Sequence, residues 1–247
     1  MKQEICNTER FIELYKDKKY ALAFAMGVKH PTLQNTPQHI KMEQNYQTLF
    51  ANAQKLILLN LQAQAKEQIK KYITVISKRD ELQLITSEHI NFRKFLLAYE
   101  ENNFKLCYEL MDKYPKIKLV KIAKLLEEHW SKLIKKCEVS ANNGDILSIK
   151  KILSTLLLTS TRLDTIGSLL RLSFQVKINK QLKNKEFLSC EALLYSYIDI
   201  FSEDAIIKIY MKRFEEKSNI ILALTHSQEV KDKNDWVYSE ITMNLDS

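Results

Sequence analysis

The sequence predicts an all-α fold: a right-handed α-solenoid of stacked helical hairpins, about three copies of an 84-residue four-helix unit. Three observations carry this expectation. The first is internal repetition, which at a fixed period marks stacked architectures. Phe95, Tyr99, Phe104, Pro115, Glu127, Trp130 and Cys137 stand 84 residues after Phe11, Tyr15, Tyr20, Pro31, Glu43, Tyr46 and Ala53, with no gap. The second is composition. The 247 residues include only 3 Gly and 3 Pro, far below ordinary usage, so tight turns are scarce and helices on short links remain. The third is apolar spacing of three and four, the helical period. Leu119, Ile122, Leu126, Trp130, Leu133 and Cys137 form one such stripe.

The copies fall at 1–76, 77–160 and 161–247. In the first, a helix over 1–17 carries Ile5, Phe11, Ile12, Leu14 and Tyr15. Lys18-Lys19 link it to a short helix opened by Tyr20. That helix ends near His30, because a residue before proline resists the α conformation. Thr36 then caps a longer helix with Pro37 in its first position, running through Met42, Tyr46, Leu49, Phe50, Ala53 and Ile57. A fourth helix, roughly 61–76, carries Ala65, Ile69, Tyr72, Ile73 and Ile76.

The second copy repeats the plan with helices over about 78–101, 103–114 and 117–138. Asn142-Asn143-Gly144-Asp145 turns the chain into a fourth helix from Ile146 to Leu157. Ser77-x-x-Asp80 reads as a capping box for the first of these, and Thr161-x-x-Asp164 for the helix over 162–183 in the third copy. The matching box in the first copy would fall seven residues before the numbering, so the first helix is naturally short or the chain belongs to a longer protein. In the third copy the break moves to Ser202, a helix covers about 203–223, and Phe214 stands 84 after Trp130. Trp236 and Ile241 are expected in a short terminal helix docked as a degenerate cap.

The second helix of each copy opens on an aromatic followed three residues later by a small residue. The pairs are Tyr20 and Ala23, Phe104 and Cys107, Phe187 and Cys190. This pattern, with Asn143-Gly144-Asp145 before a later helix, resembles the tetratricopeptide-like repeats. The unit here is about 84 residues long, against 34 per hairpin in that family, and Pro115 follows Phe104 by 11. The resemblance implies a related architecture and an interaction role.

No residues nominate chemistry. Gly27, Gly144 and Gly167 are isolated, so no glycine-rich phosphate loop exists. The histidines His30, His39, His89, His129 and His226 include no i, i+4 pair, and no CxxC occurs. No metal site, cofactor or catalytic set is expected, and the chain reads as non-catalytic. Cys107, Cys137 and Cys190 read as small buried spacers; Cys6 has no such reading. Glu43 and Glu127, recurring with the repeat, read as structural: helix pairing, or contact with a Lys on a neighbouring helix. The N-terminus lacks a signal-peptide core, no apolar run is long enough to span a bilayer, and a cytoplasmic location is expected unless the chain is a fragment.

The net charge is +8 and the sequence pI about 9.1. Within that charge, Lys118, Lys121, Lys132 and Lys136 lie on roughly one side of the third helix of the second copy, read either as the solvated back of an amphipathic helix or as a strip for an acidic protein face or a nucleic-acid backbone. The favoured function is a protein–protein interaction scaffold, or the helical-repeat domain of a larger bacterial-type assembly protein, with a protein partner. A nucleic-acid-binding solenoid using the Lys strip is the second reading, and homo-oligomerisation through open apolar ends is a third feature to test.

Overall fold

The computed structural model describes residues 2–222 and 232–242, with side chains from Asn7 onward. The regular structure there is helical throughout, with no strand among the described residues. The chain divides into two compact halves, 1–124 and 125–247.

The first half contains α1 (Lys2–Lys16), α2 (Tyr20–Lys29), α3 (Pro37–Leu58), α4 (Gln62–Ile69), α5 (Arg79–Thr86), α6 (His89–Glu100) and α7 (Phe104–Lys113), then the start of α8 (Lys121–Asn143). Thr36 caps α3, accepting the His39 backbone N–H at 3.3 Å, and Pro37 fills the first helical position. Pro31 and Pro115 each open a 3-10 turn, at Pro31–Asn35 and Pro115–Leu119. The core is aromatic: Phe11, Phe24, Tyr46, Phe50, Tyr72, Phe92 and Phe95 are all buried.

The second half holds the rest of α8, then α9 (Ile146–Leu153), α10 (Leu163–Asn184), α11 (Phe187–Phe201) and α12 (Ala205–Ser218). Asp145 caps α9 by accepting from the Ser148 N–H, and Asp204 caps α12 through the Ile206 and Ile207 N–H groups. Gly144, at φ 74, makes the left-handed turn into α9. The core gathers Cys137, Ile149, Phe174, Cys190, Tyr197, Phe214 and Trp236.

Several elements differ from the sequence expectation. The fourth helix of the first copy stops at Ile69 and continues as 3-10 turns at Lys70–Tyr72 and Ile76–Lys78. Here Ile69, Tyr72 and Val75 are buried, a spacing of three, while Ile73 and Ile76 are 49% and 74% exposed. From Ile69 to Tyr72 that spacing matches the 3-10 turn Lys70–Tyr72, while Val75 is buried from the extended link between the two turns. The helix expected over 78–101 is broken at Ser87 and Glu88 into α5 and α6. The helix expected over 117–138 starts at Lys121, because Pro115 opens a turn that lasts to Leu119. The helix expected over 203–223 ends at Ser218, where Asn219 takes a left-handed conformation. Trp236 and Ile241 are buried as expected, but in 3-10 turns at Asp235–Tyr238 and Glu240–Thr242.

The expected box at Ser77 does not form, and α10 starts one residue later than a cap at Thr161 would place it. Ser77 lies inside a 3-10 turn, and α5 begins after Lys78 with no side-chain cap. Thr161 lies inside the turn Ser160–Arg162, and α10 begins after Arg162, again with no side-chain cap. In both places the turn delivers a basic side chain to a glutamate, as follows.

Candidate functional site

Lys78 Nζ reaches Glu43 Oε1 at 2.6 Å and lies 4.6 Å from the centre of the Tyr46 ring. Arg162 Nη2 reaches Glu127 Oε1 at 2.7 Å, and its guanidinium lies 4.6 Å from the Trp130 ring. Every residue of the second set stands 84 after its counterpart. Each set joins a cation to a carboxylate and an aromatic face, which reinforce one another where water is partly excluded. Arg162 is only 9% exposed. In each set the cation comes from a 3-10 turn and the carboxylate and ring from a long helix, so the contacts tie a turn to a helix.

The remaining repeat positions are structural too. Ala23, Cys107 and Cys190 are buried, and Phe214 is buried against Phe187 at 6.2 Å. The Cys107 Sγ sits 4.0 Å from the Phe95 carbonyl oxygen, and the Cys190 Sγ 3.9 Å from that of Ile178. Tyr20 and Phe104 are half-buried, each against another ring: Tyr20 at 5.4 Å from Tyr72, Phe104 at 6.3 Å from Tyr99. Burial pushes the Cys107, Cys137 and Cys190 thiols up to about 11, so they stay protonated and unreactive near neutrality. Cys6 and His226 lie outside the described side chains.

Of the lysine strip, Lys118 is engaged by Asp112 at 2.6 Å. Lys121 is exposed in the first half, and Lys132 and Lys136 are exposed in the second. Lys121, Lys132 and Lys136 all belong to α8, whereas Lys118 precedes it.

The solvent face of α3 carries no motif in the sequence. Residues 44–54, Gln-Asn-Tyr-Gln-Thr-Leu-Phe-Ala-Asn-Ala-Gln, carry no charge in a chain that is 28% charged. The corresponding stretch 128–138 carries Glu128, Lys132, Lys135, Lys136 and Glu138. Tyr46, Phe50 and Ala53 turn inward, which leaves Gln44, Gln47, Thr48 and Ala51 exposed. A helix face that served only for solubility would carry the Lys and Glu used elsewhere in the chain. The run without charge was the available signal, but an absence of charge is no motif.

Two clefts flank this face within the first half. One, of about 750 Å³, is bordered by Phe24, Val28, His39, Ile40, Gln44 and Lys78. Val28 and Ile40 remain 62% and 46% exposed at its edge. The other, of about 600 Å³, is bordered by Phe50, Gln54, Glu81, Leu119, Lys121 and Lys124. Gln47 and Thr48 line both. At the second cleft Tyr46 donates its hydroxyl to Glu81 at 2.7 Å; burial, and then this bond, push the phenol far above its ordinary range.

His39 closes the first cleft. Its ring stacks on Phe11 at 5.9 Å and meets Phe24 edge-on at 5.8 Å. Its Nε2 lies 2.6 Å from where a Cβ on Gly27 would stand. In the second copy the same two positions are Met111 and Ala123, both buried. A large side chain on one helix with a small one opposite is thus exchanged for the reverse. Burial lowers the His39 pKa; Glu43 pulls it back up and Lys78 lowers it further.

Among the described residues no three His, Cys, Asp or Glu side chains are grouped to hold a metal ion, and no helix is long and apolar enough to cross a membrane. The structure defines an all-helical protein whose described surface offers amide-lined clefts. No family model, curated protein or solved structure matches the chain.

Proposed function

We propose that this chain is a helical-repeat scaffold that binds a peptide segment of a protein partner along α3. In this reading it is a right-handed solenoid of three 84-residue copies, tetratricopeptide-like in its hairpins. The recurrence of the Glu43–Lys78 and Glu127–Arg162 sets supports a duplicated module. The observation that carries the binding role is the uncharged, amide-rich face of α3 between two clefts. Glutamine side chains both donate and accept hydrogen bonds, which matches the alternating N–H and C=O of a peptide backbone. Exposed Val28 and Ile40 offer apolar contact beside them. A solenoid of this kind leaves an extended surface once its hairpins have buried their inner faces.

The test is an array of peptides with varied apolar cores, each made with Glu, Gln and Lys flanks, probed with the full chain. The reading expects a related set of cores to bind and to retain part of that binding at high salt. No peptide bound above background would overturn it.

A further inference from the structure

The net positive charge of the chain falls in one half. Residues 1–124 hold 21 Lys and Arg against 13 Asp and Glu, while residues 125–247 hold 17 against 17. The whole net charge of +8 therefore belongs to the first half. Within it, Lys121 and Lys124 stand exposed on the border of the smaller cleft. Among the described residues the one carboxylate bordering that cleft is Glu81, which accepts the Tyr46 hydroxyl. Its contribution is thus partly directed inward, and the two lysines set the sign at the mouth. Leu119 and Phe50 give the same cleft an apolar wall.

We infer that this cleft receives an acidic peptide segment, with an apolar side chain seated between Phe50 and Leu119 and carboxylates set against Lys121 and Lys124. The inference rests on the scaffold reading and adds the chemistry of the partner. Charge complementarity of this kind selects among partners and speeds encounter more than it adds affinity. Nucleic acid is the weaker occupant, because Phe50, the ring that lines this cleft, is buried and unstacked bases need exposed aromatic faces.

The experiment uses the same array, followed by anisotropy titrations of the best core in its Glu-, Gln- and Lys-flanked forms. A single-stranded oligonucleotide is titrated in parallel. The Glu-flanked form is expected to bind roughly tenfold more tightly than the Gln-flanked form, as two exposed charge pairs allow. The double variant Lys121→Glu, Lys124→Glu removes that gap, while Lys132→Glu, Lys136→Glu leaves most of it. Equal binding of Glu- and Gln-flanked forms overturns the acidic preference and leaves the scaffold reading standing. Binding by no peptide overturns both. An oligonucleotide that binds more tightly than any peptide, and is lost in the Lys121→Glu, Lys124→Glu variant, overturns the inference in favour of nucleic acid.

Discussion

Glu127 receives Arg162 through two parallel contacts, Nη2 to Oε1 at 2.7 Å and Nη1 to Oε2 at 3.2 Å. Glu127 lies in the long helix α8 and Arg162 in the 3-10 turn before α10, 35 residues on. The same separation joins Glu43 to Lys78 in the first half, with a single contact in place of two. Arginine offers a planar fork to a carboxylate, and lysine a point charge.

Arg162→Ala therefore leaves a partly buried carboxylate and strips the cover from Trp130. We expect a loss of roughly 3 kcal/mol in unfolding free energy. Arg162→Lys restores the arrangement of the first copy and should recover most of that, leaving a deficit of about 1 kcal/mol. Urea denaturation of the three proteins measures both. Equal losses for the two substitutions would contradict the role of the ion pair.

The exchange of Gly27 and His39 for Met111 and Ala123 predicts a coupling between helices α2 and α3. Gly27→Met places a side chain where the His39 ring stands, 2.6 Å from a Cβ, and should destabilise by roughly 1–3 kcal/mol. Adding His39→Ala recreates the second copy's pairing and should recover at least about 1 kcal/mol. A double-mutant cycle by denaturation measures this, and strict additivity would contradict it.

His39 also gives the first half a pH dependence. Burial holds its folded pKa below the ordinary value of 6.5, with Lys78 adding to the lowering and Glu43 opposing it. The unfolded chain thus binds more protons as pH falls through 6.5. Stability from the neutral ring is fully present above that pH and is lost as pH drops toward the depressed value. In His39→Gln that part of the slope should vanish. Denaturation midpoints of both proteins between about pH 5 and pH 8 decide it; parallel curves would contradict the assignment.

The all-helical class was legible in the sequence, and the recurrence over 84 residues can be read from the chain itself: Tyr20, Tyr46, Glu43 and their counterparts 84 later. Glu43 does meet a lysine, Lys78, though in a 3-10 turn rather than on a neighbouring helix, and its counterpart Glu127 meets Arg162. The turns were harder to read. Ser77 and Asp80 have the spacing of a capping box, yet the turn there is held by Lys78 reaching back to Glu43, a distant contact that local spacing does not encode. Ile73 and Ile76 fit an α-helical stripe with Ile69, and only tertiary packing buries Tyr72 and Val75 in their place. The clefts beside α3 depend on how α2, α3 and α8 meet, so their borders could not be assembled from the chain order.

Gly167 in α10 faces Trp236: a Cβ there would stand 2.7 Å from the indole Nε1 and 3.0 Å from Arg171 Nη1. In an exposed helix interior, Gly→Ala adds up to about 1 kcal/mol of stability. Gly167→Ala should instead lose stability, because the buried indole must move. Trp236→Phe removes the clashing nitrogen at a cost of its own, so Gly167→Ala should be better tolerated in that background. Thermal unfolding of the four combinations tests the sign. A stabilised Gly167→Ala protein would show that Trp236 does not dock on α10.

The proposed peptide-binding role turns on α3, and Gln47 lines both clefts. Gln47→Trp puts a bulky ring at an exposed position shared by the two, without touching the buried Tyr46 and Phe50. Fluorescence anisotropy of the best array peptide against this variant and the unaltered chain is the most direct test. The account predicts at least a roughly tenfold loss of affinity, the scale of a lost interface anchor, with unfolding stability unchanged. Undiminished binding by the Gln47→Trp protein would contradict it.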